Sequence, residues 1–293
     1  MRILALDIGG TDIKYGIINE SFDILEAHKT PTNAHLGGAH IIDTIIDISK
    51  NYTNIDKIAI STAGQVDSHS GVIVYATETI PNYTGTRLKE AVEKETGILT
   101  VVENDVNSAA YGEAHFGAGK GYDSFICLTY GTGIGGAIFL NGDVFKGSGF
   151  SAGEMGHIIT HAGGKACTCG GNGCYEQYAS TSALLRAVNE ISPTPLNSFE
   201  IFSKMNSDEK IKSAVDSWID EIIIGLISII YTFNPPLIIL GGGIMNEEYI
   251  INSINERLPS RLMESFRNVK IKRATLGNNA SMLGASYKAV NNM

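Results

Sequence analysis

Three of the four cysteines in this chain, Cys167, Cys169 and Cys174, fall within eight positions, and His157 stands ten residues before the first. Thiolates and imidazole are the ligands zinc prefers, four of them in a tetrahedron, and a Cys₃His set at loop-permitting spacing meets that demand. Glycines at 170, 171 and 173 let the chain turn tightly enough for neighbouring thiolates to converge on one ion. Two other readings compete. A disulfide would leave an odd thiol, and nothing in the sequence suggests an oxidising compartment. Three unrelated core cysteines would need a core, which so glycine-rich a loop does not offer. Four protein ligands leave no open position, so the metal expected here is structural rather than catalytic, and a hydrolase built on it is not expected.

The other residues suited to chemistry stand at the ends of short apolar runs. Arg2–Leu6 runs into Asp7, then Ile8-Gly9-Gly10-Thr11, and a second apolar run follows from Ile13 to Ile18. A strand, a tight glycine turn carrying Asp and Thr, and a returning strand can form an anion-binding nest of backbone N–H groups. The turn is not a Walker loop, which leads into a helix and carries Gly-Lys-Ser/Thr. It reads equally as a plain hairpin turn. A second such unit runs from Phe125 to Leu140 around Gly131-Thr132-Gly133-Ile134-Gly135-Gly136. Its glycine spacing imitates a dinucleotide fingerprint, but a strand follows it where a helix is required. Ile98–Val102 ends in Glu103-Asn104-Asp105 just before a helical stretch, the place where open α/β sheets put their ligands. On its residues alone, Asp105 reads equally as a helix cap. Leu237–Leu240 precedes Gly241-Gly242-Gly243, where a flat nucleotide ring could lie against bare backbone.

Helices and strands must position these groups. Apolar spacing predicts helices over Ile41–Ser49, Arg87–Glu95, Asn107–Phe116, Glu176–Glu190, Phe199–Met205, Ile211–Phe233 and Ser281–Val290. The long one stops at Asn234-Pro235-Pro236, where proline forbids continuation. Asn141-Gly142 is the strongest hairpin signal in the chain. The repeated strand–glycine–strand unit predicts two related domains. The length, 293 residues, also favours two domains. A net charge of −9 without acidic blocks disfavours a nucleic-acid surface. The apolar run before Asp7 is four residues long and no small-residue cleavage site follows, so a secretory signal is not expected. Ile222–Phe233 is far short of the ~20 residues a bilayer crossing needs. A soluble cytoplasmic enzyme that binds neither membrane nor nucleic acid is the expectation.

Taken together the motifs resemble the ROK family of sugar kinases, within the actin-like ATPase (hexokinase) superfamily. The resemblance spans essentially the whole chain. It rests on LALDIGGTDIKYGI at 4–17, ENDVNSAAYGE at 103–113, GTGIGGAI at 131–138, GEMGHI at 153–158, CTCGGNGCYE at 167–176 and NPPLIILGGG at 234–243. It implies an α/β protein of two ribonuclease-H-like domains with ATP and sugar in a cleft between them. The first would span 1–117, with a closing helix over 279–293 packing back on it; the second, with the zinc loop, would span 118–278. Carried over residue by residue, Asp7, Gly9, Gly10, Thr11 and Lys14 match the first phosphate loop, and Thr132 and Gly133 the second. Gly241, Gly242 and Gly243 match the adenosine contact. Asn104 matches the sugar-binding asparagine, Asp105 the catalytic base, and Glu154, His157 and Glu176 the further sugar contacts, His157 serving the zinc as well. Mg²⁺ is expected between the phosphates, with Asp7 close by, and a homodimer is the family's usual assembly.

Departures from the family pattern narrow the expectation. Ala63 replaces a proline in Ser61–Asp67, and IPNYTGT at 80–86 replaces the more usual Asn-Trp or Asn-Leu pattern. Both segments, Gly64 included, are expected to border the sugar pocket. Their form is similar to the β-glucoside kinase branch, which phosphorylates O6 of glucosides such as cellobiose. A glucokinase or an N-acetylmannosamine kinase is the alternative. A ROK-type transcriptional repressor would carry a winged helix-turn-helix ahead of Asp7, for which there is no room, and a DNA-reading basic element is missing too. A sugar-binding protein without catalysis would need a lost base or broken phosphate loops, and both are intact.

Overall fold

The structure is a computed structural model that describes residues 1–291. The chain divides into two compact units. The first takes Met1–Gly121, Asp143–Ala152 and the residues from Asn278 on; the second takes Tyr122–Gly142 and Gly153–Gly277. The ten residues Asp143–Ala152, expected in the second domain, thus cluster with the first.

The first unit opens with three antiparallel strands, β1 (Arg2–Ile8), β2 (Asp12–Asn19) and β3 (Ile24–Pro31). Helix α1 (Gly37–Lys50), β4 (Lys57–Thr62), the small hairpin of β5 (Gln65–Asp67) and β6 (Val72–Tyr75), α2 (Leu88–Thr96), β7 (Thr100–Asn104) and α3 (Asp105–Phe116) follow. The sheet order is β3-β2-β1-β4-β7, with β1, β4 and β7 parallel. Isoleucine, leucine and alanine fill the buried positions of β1, as a strand covered on both faces requires. Its Leu4, Leu6 and Ile8 pack with Ile41 and Ile45 of α1 and with Leu88 and Val92 of α2.

In the second unit β8 (Phe125–Tyr130) and β9 (Ile134–Leu140) form the repeated hairpin. A short strand, β10 (Asp143–Phe145), lies in the stretch that returns to the first unit. Past the cysteine loop come α4 (Glu176–Ala179), α5 (Thr181–Asn189), α6 (Ser198–Lys204), α7 (Glu209–Phe233), β11 (Leu237–Gly241), α8 (Glu248–Arg257) and β12 (Lys270–Arg273). Within this unit the strands run β9-β8-β11-β12, with β8, β11 and β12 parallel. An antiparallel hairpin continued by two parallel strands is the arrangement of β2-β1-β4-β7 as well, so the repeat legible in the motifs is a repeat of topology. Helix α7 begins at the cap Asp208, whose side chain accepts from Lys210 N and Ile211 N, and ends on left-handed Asn234 before the two prolines.

The single helix expected over Glu176–Glu190 is two helices. Ser180 between them is extended, and its hydroxyl accepts from Ala183 N, so a serine inside the apolar pattern acts as an N-cap. The last helix, α9 (Ala280–Asn291), belongs to the first unit and packs on α3. A Cβ on Gly284 would lie 1.7 Å from Ser108 O, and one on Gly112 would lie 2.2 Å from Ala280 O. Glycine on each helix lets the two backbones touch. Among the described residues no helix is long and apolar enough to cross a membrane.

Candidate functional site

In the first unit the register of three parallel strands gathers the candidate groups. Asp7, Ser61 and Glu103 align across β1, β4 and β7, and Ile8, Thr62 and Asn104 follow as the strands end. The exposed turn Gly10-Thr11 leaves the same edge, and Gly9 N donates to Asp12 O at 3.1 Å to close it. Ligands of open α/β sheets bind beyond these carboxyl ends.

Asp7 is held from two sides. Ser61 Oγ donates to its Oδ1 at 2.9 Å, and Lys14, its cross-strand partner on β2, places Nζ 3.7 Å from Oδ2. Lys14 Nζ also donates to Asn278 Oδ1 at 3.3 Å. Burial still outweighs both partners and raises the Asp7 carboxyl above the usual range.

Asn104, not Asp105, is the cap of α3. Its Oδ1 accepts from Val106 N at 2.9 Å and Asn107 N at 3.0 Å. Its amide then has two donors to spend. One reaches Gly64 O and the other Asp105 Oδ1, each at 2.9 Å. Asp105, the first residue of the helix, is left half-buried with its carboxyl oriented by that amide and by Val106 N. Burial, and next the negative charge of Asp7, push its carboxyl up to about 7. A carboxyl poised there is matched to proton transfer near neutral pH.

Two carboxylates that feel each other's charge suit a divalent cation. Mg²⁺ takes one or two carboxylates and completes its shell with water and phosphate oxygens, so Asp7, with Asp105 near, fits the expected ion.

In the second unit the ligand atoms of His157, Cys167, Cys169 and Cys174 all lie within 4.8 Å of one another. Cys169 Sγ is 3.6 Å from Cys174 Sγ, and Cys167 Sγ is 3.7 Å from His157 Nδ1. A Zn–S bond of ~2.3 Å sets a tetrahedron edge of about 3.7 Å, whereas a disulfide needs ~2.05 Å. All three cysteines are free thiols. Burial, then its neighbouring thiols, push Cys174 up to about 12, so a thiolate at that position needs a cation beside it. The donor set and spacing fit zinc. Cys127, the fourth cysteine, is buried in β8.

Glu176 joins this cluster to the second glycine turn. Its Oε1 accepts from Cys167 Sγ at 3.2 Å and lies 3.9 Å from His157 Nδ1. Its Oε2 accepts from Ile134 N at 3.3 Å, and a Cβ on Gly133 would lie 2.4 Å from that oxygen. Gly133 is therefore needed for the close approach of a carboxylate, besides any nucleotide. Thr132 is exposed at the tip of the turn, which Gly131 N closes by donating to Gly133 O at 2.9 Å. Glu154 is exposed and leads into a single 3₁₀ turn, Met155–His157. The three glycines 241–243 leave β11 at the carboxyl edge it shares with β8, Gly241 buried and Gly242 at φ +101°. One 3₁₀ turn, Gly243–Asn246, comes between them and α8.

The roles of three residues escaped the sequence reading. Ser61 orients Asp7, and Lys146 pairs with a buried Glu103 whose Oε1 accepts from Asn104 N at 3.0 Å. Glu103 stood inside a recognised motif, but no local pattern signals that a lysine 43 positions later would neutralise it.

Residues 3–291 match the ROK family as a whole. An uncharacterised protein of Clostridium perfringens is 42% identical, over 96% of this chain and 95% of that one. A β-glucoside kinase of Listeria monocytogenes is 33% identical over 98% and 97%. Among solved structures, a ROK family glucokinase from Streptomyces griseus in complex with glucose and AMPPNP superposes with a TM-score of 0.86, at 30% identity over 98% of each chain.

Proposed function

Because the chain belongs to the ROK family, we propose that it is an ATP-dependent sugar kinase that phosphorylates a hydroxyl, O6, of a β-glucoside or a glucose-like aldohexose. The observation that carries this reading is the Asn104–Asp105 pair, a carboxyl pushed up to about 7 and aimed by its neighbour's amide at the carboxyl edge of the sheet. Phosphoryl transfer asks little covalent chemistry of the protein. It needs a base for the attacking hydroxyl, neutralised phosphate charge and fixed geometry. Asp105 takes the hydroxyl proton, Asn104, its amide hydrogens spent on Gly64 O and Asp105 Oδ1, orients that base at the edge of the sugar site, and the turns at Gly9–Thr11 and Thr132–Gly133 offer backbone N–H groups to the phosphates.

Lys14 adds a positive charge beside Asp7, and Mg²⁺, when bound, neutralises the phosphate oxygens. Gly241–Gly243 leave room for the adenosine. Glu154, His157 and Glu176 supply acceptors and donors for sugar hydroxyls, each of which loses water on binding and needs a partner. Zinc on His157, Cys167, Cys169 and Cys174 holds the last two of these contacts in place. The reading places the protein in the cytoplasm, where ATP is, and as a homodimer.

The similarity to the Listeria β-glucoside kinase supports the glucoside, with glucose and N-acetylmannosamine as the alternatives. An ATP-coupled screen of glucose, mannose, fructose, N-acetylmannosamine and cellobiose tests it. The expected ranking puts cellobiose first by kcat/KM. Preference for a free hexose would move the assignment to that sugar, and no turnover on any of them would sink the kinase reading.

A further inference from the structure

Lys146 stands outside every motif that carried the family resemblance, yet its ammonium is largely shielded against Glu103, two residues before the candidate base. Nζ donates at 2.5 Å to Glu103 Oε2 and at 2.5 Å to Ser68 Oγ. The two charged side chains are 15% and 1% exposed. Glu103 Oε1 accepts from Asn104 N at 3.0 Å and from Asn107 Nδ2 at 3.2 Å. Asn104, so placed, caps α3, aims Asp105 and holds Gly64 O. Ser68 lies four residues beyond Gly64, in the turn of the β5–β6 hairpin that Gly64 leads into. One lysine therefore grips the turn that carries the base and the loop that borders the expected sugar site.

Two further contacts run between the same two segments. Ser151 Oγ donates to Gln65 Oε1 at 2.7 Å, and the Phe150 ring meets the His69 ring edge-on at 5.9 Å between centroids. The stretch 146–151 thus braces the stretch 65–69 at three points. Phe150 takes a left-handed φ of +59° there, a backbone state a bulky side chain seldom adopts.

We propose that Lys146 is a positioning residue for phosphoryl transfer, acting through Glu103 and Ser68 on Asn104, Asp105 and Gly64. The proposal rests on the sugar-kinase reading. Removing one partner of a buried ion pair leaves the other charge uncompensated, and the surrounding structure shifts to solvate it. Here the structure that shifts is the Glu103–Asn107 turn. A base displaced by about 1 Å loses on the order of 10²-fold in rate.

The test compares Lys146→Met, Glu103→Gln and the double variant with wild type. Glu103→Gln keeps an oxygen for Asn104 N and needs no counter-charge. Two readouts are taken: kcat and KM for the best sugar and for ATP, and hydrogen exchange at the amides of Asn104, Val106 and Asn107. Lys146→Met is expected to lower kcat about 10- to 100-fold with the KM for ATP within about twofold. It should speed exchange at those three amides tenfold or more and leave β8 and β9 unchanged. The double variant should recover most of both losses, which a general loss of stability would not allow. Where Lys146→Met does not fold, the double variant against Glu103→Gln alone gives the same comparison. Unchanged exchange at the three amides, or a double variant no better than Lys146→Met, overturns the relay. The exchange readout needs no turnover, so a chain that phosphorylates no sugar would defeat the kinase reading while the relay is still decided.

Discussion

Asp105 carries the sharpest expectations at the scale of single residues. Asp105→Asn keeps the size and the hydrogen bonds but removes the base, so kcat should fall about 10²- to 10⁴-fold while sugar binding by calorimetry stays near the parent value. Turnover at the parent rate would remove Asp105 from that role. A base must be ionised, so kcat/KM for sugar should rise with pH through the region near 7 where this carboxyl titrates. Stability should show the opposite sign. The folded state raises this pKa from 3.8 to about 7, so between those values the native chain binds more protons than the unfolded one, and stability falls as pH rises. Asp105→Asn escapes that loss and should be more stable than wild type at pH 8 by on the order of 1–3 kcal/mol, discounted for the water still around the carboxyl, with no gain at pH 4. Equal denaturation midpoints at both pH values would contradict the burial of this group.

The cysteine loop and the paired helices α3 and α9 act as whole elements. Zinc on the four proposed ligands would cross-link residues 157–174, and Glu176 follows directly with one oxygen on Cys167 and the other on Ile134 N. Cys169→Ser should cut bound zinc from about one per chain to well below half by metal analysis. It should also raise the KM for sugar on the order of tenfold or more. Unaltered zinc content would refute the ligand set. Helix α9 is clamped to α3 by glycine on each side, and Ser281 Oγ donates to Asp105 O at 3.2 Å. Gly284→Val would force the helices apart and should cost on the order of 3 kcal/mol or more, read as a drop in Tm with a loss of activity. The cysteine spacing was legible because metal ligands cluster in sequence when a loop supplies them. The break at Ser180 was not. A capping serine and a helix-interior serine differ only in backbone conformation, which the apolar pattern around them does not record.

At the scale of the molecule, a chain of 31.3 kDa that pairs as proposed should elute with twice that mass by light scattering, and a monomer mass would refute the homodimer. The motifs by themselves determined the family, the repeated strand–glycine–strand units and the clustering of His157 with the three cysteines, because each of these is a run of a few neighbouring residues under a local constraint. Asp7 and Asp105 could be named from such runs as well. Tertiary structure alone decided what surrounds them. Ser61 reaches Asp7 through strand register, Lys146 neutralises Glu103 from a stretch that rejoins the first unit, and Glu176 turns from the metal cluster to Ile134. Only the folded backbone brings these groups within hydrogen-bond distance. A charge or hydroxyl far away in sequence leaves no periodicity at the position it will serve.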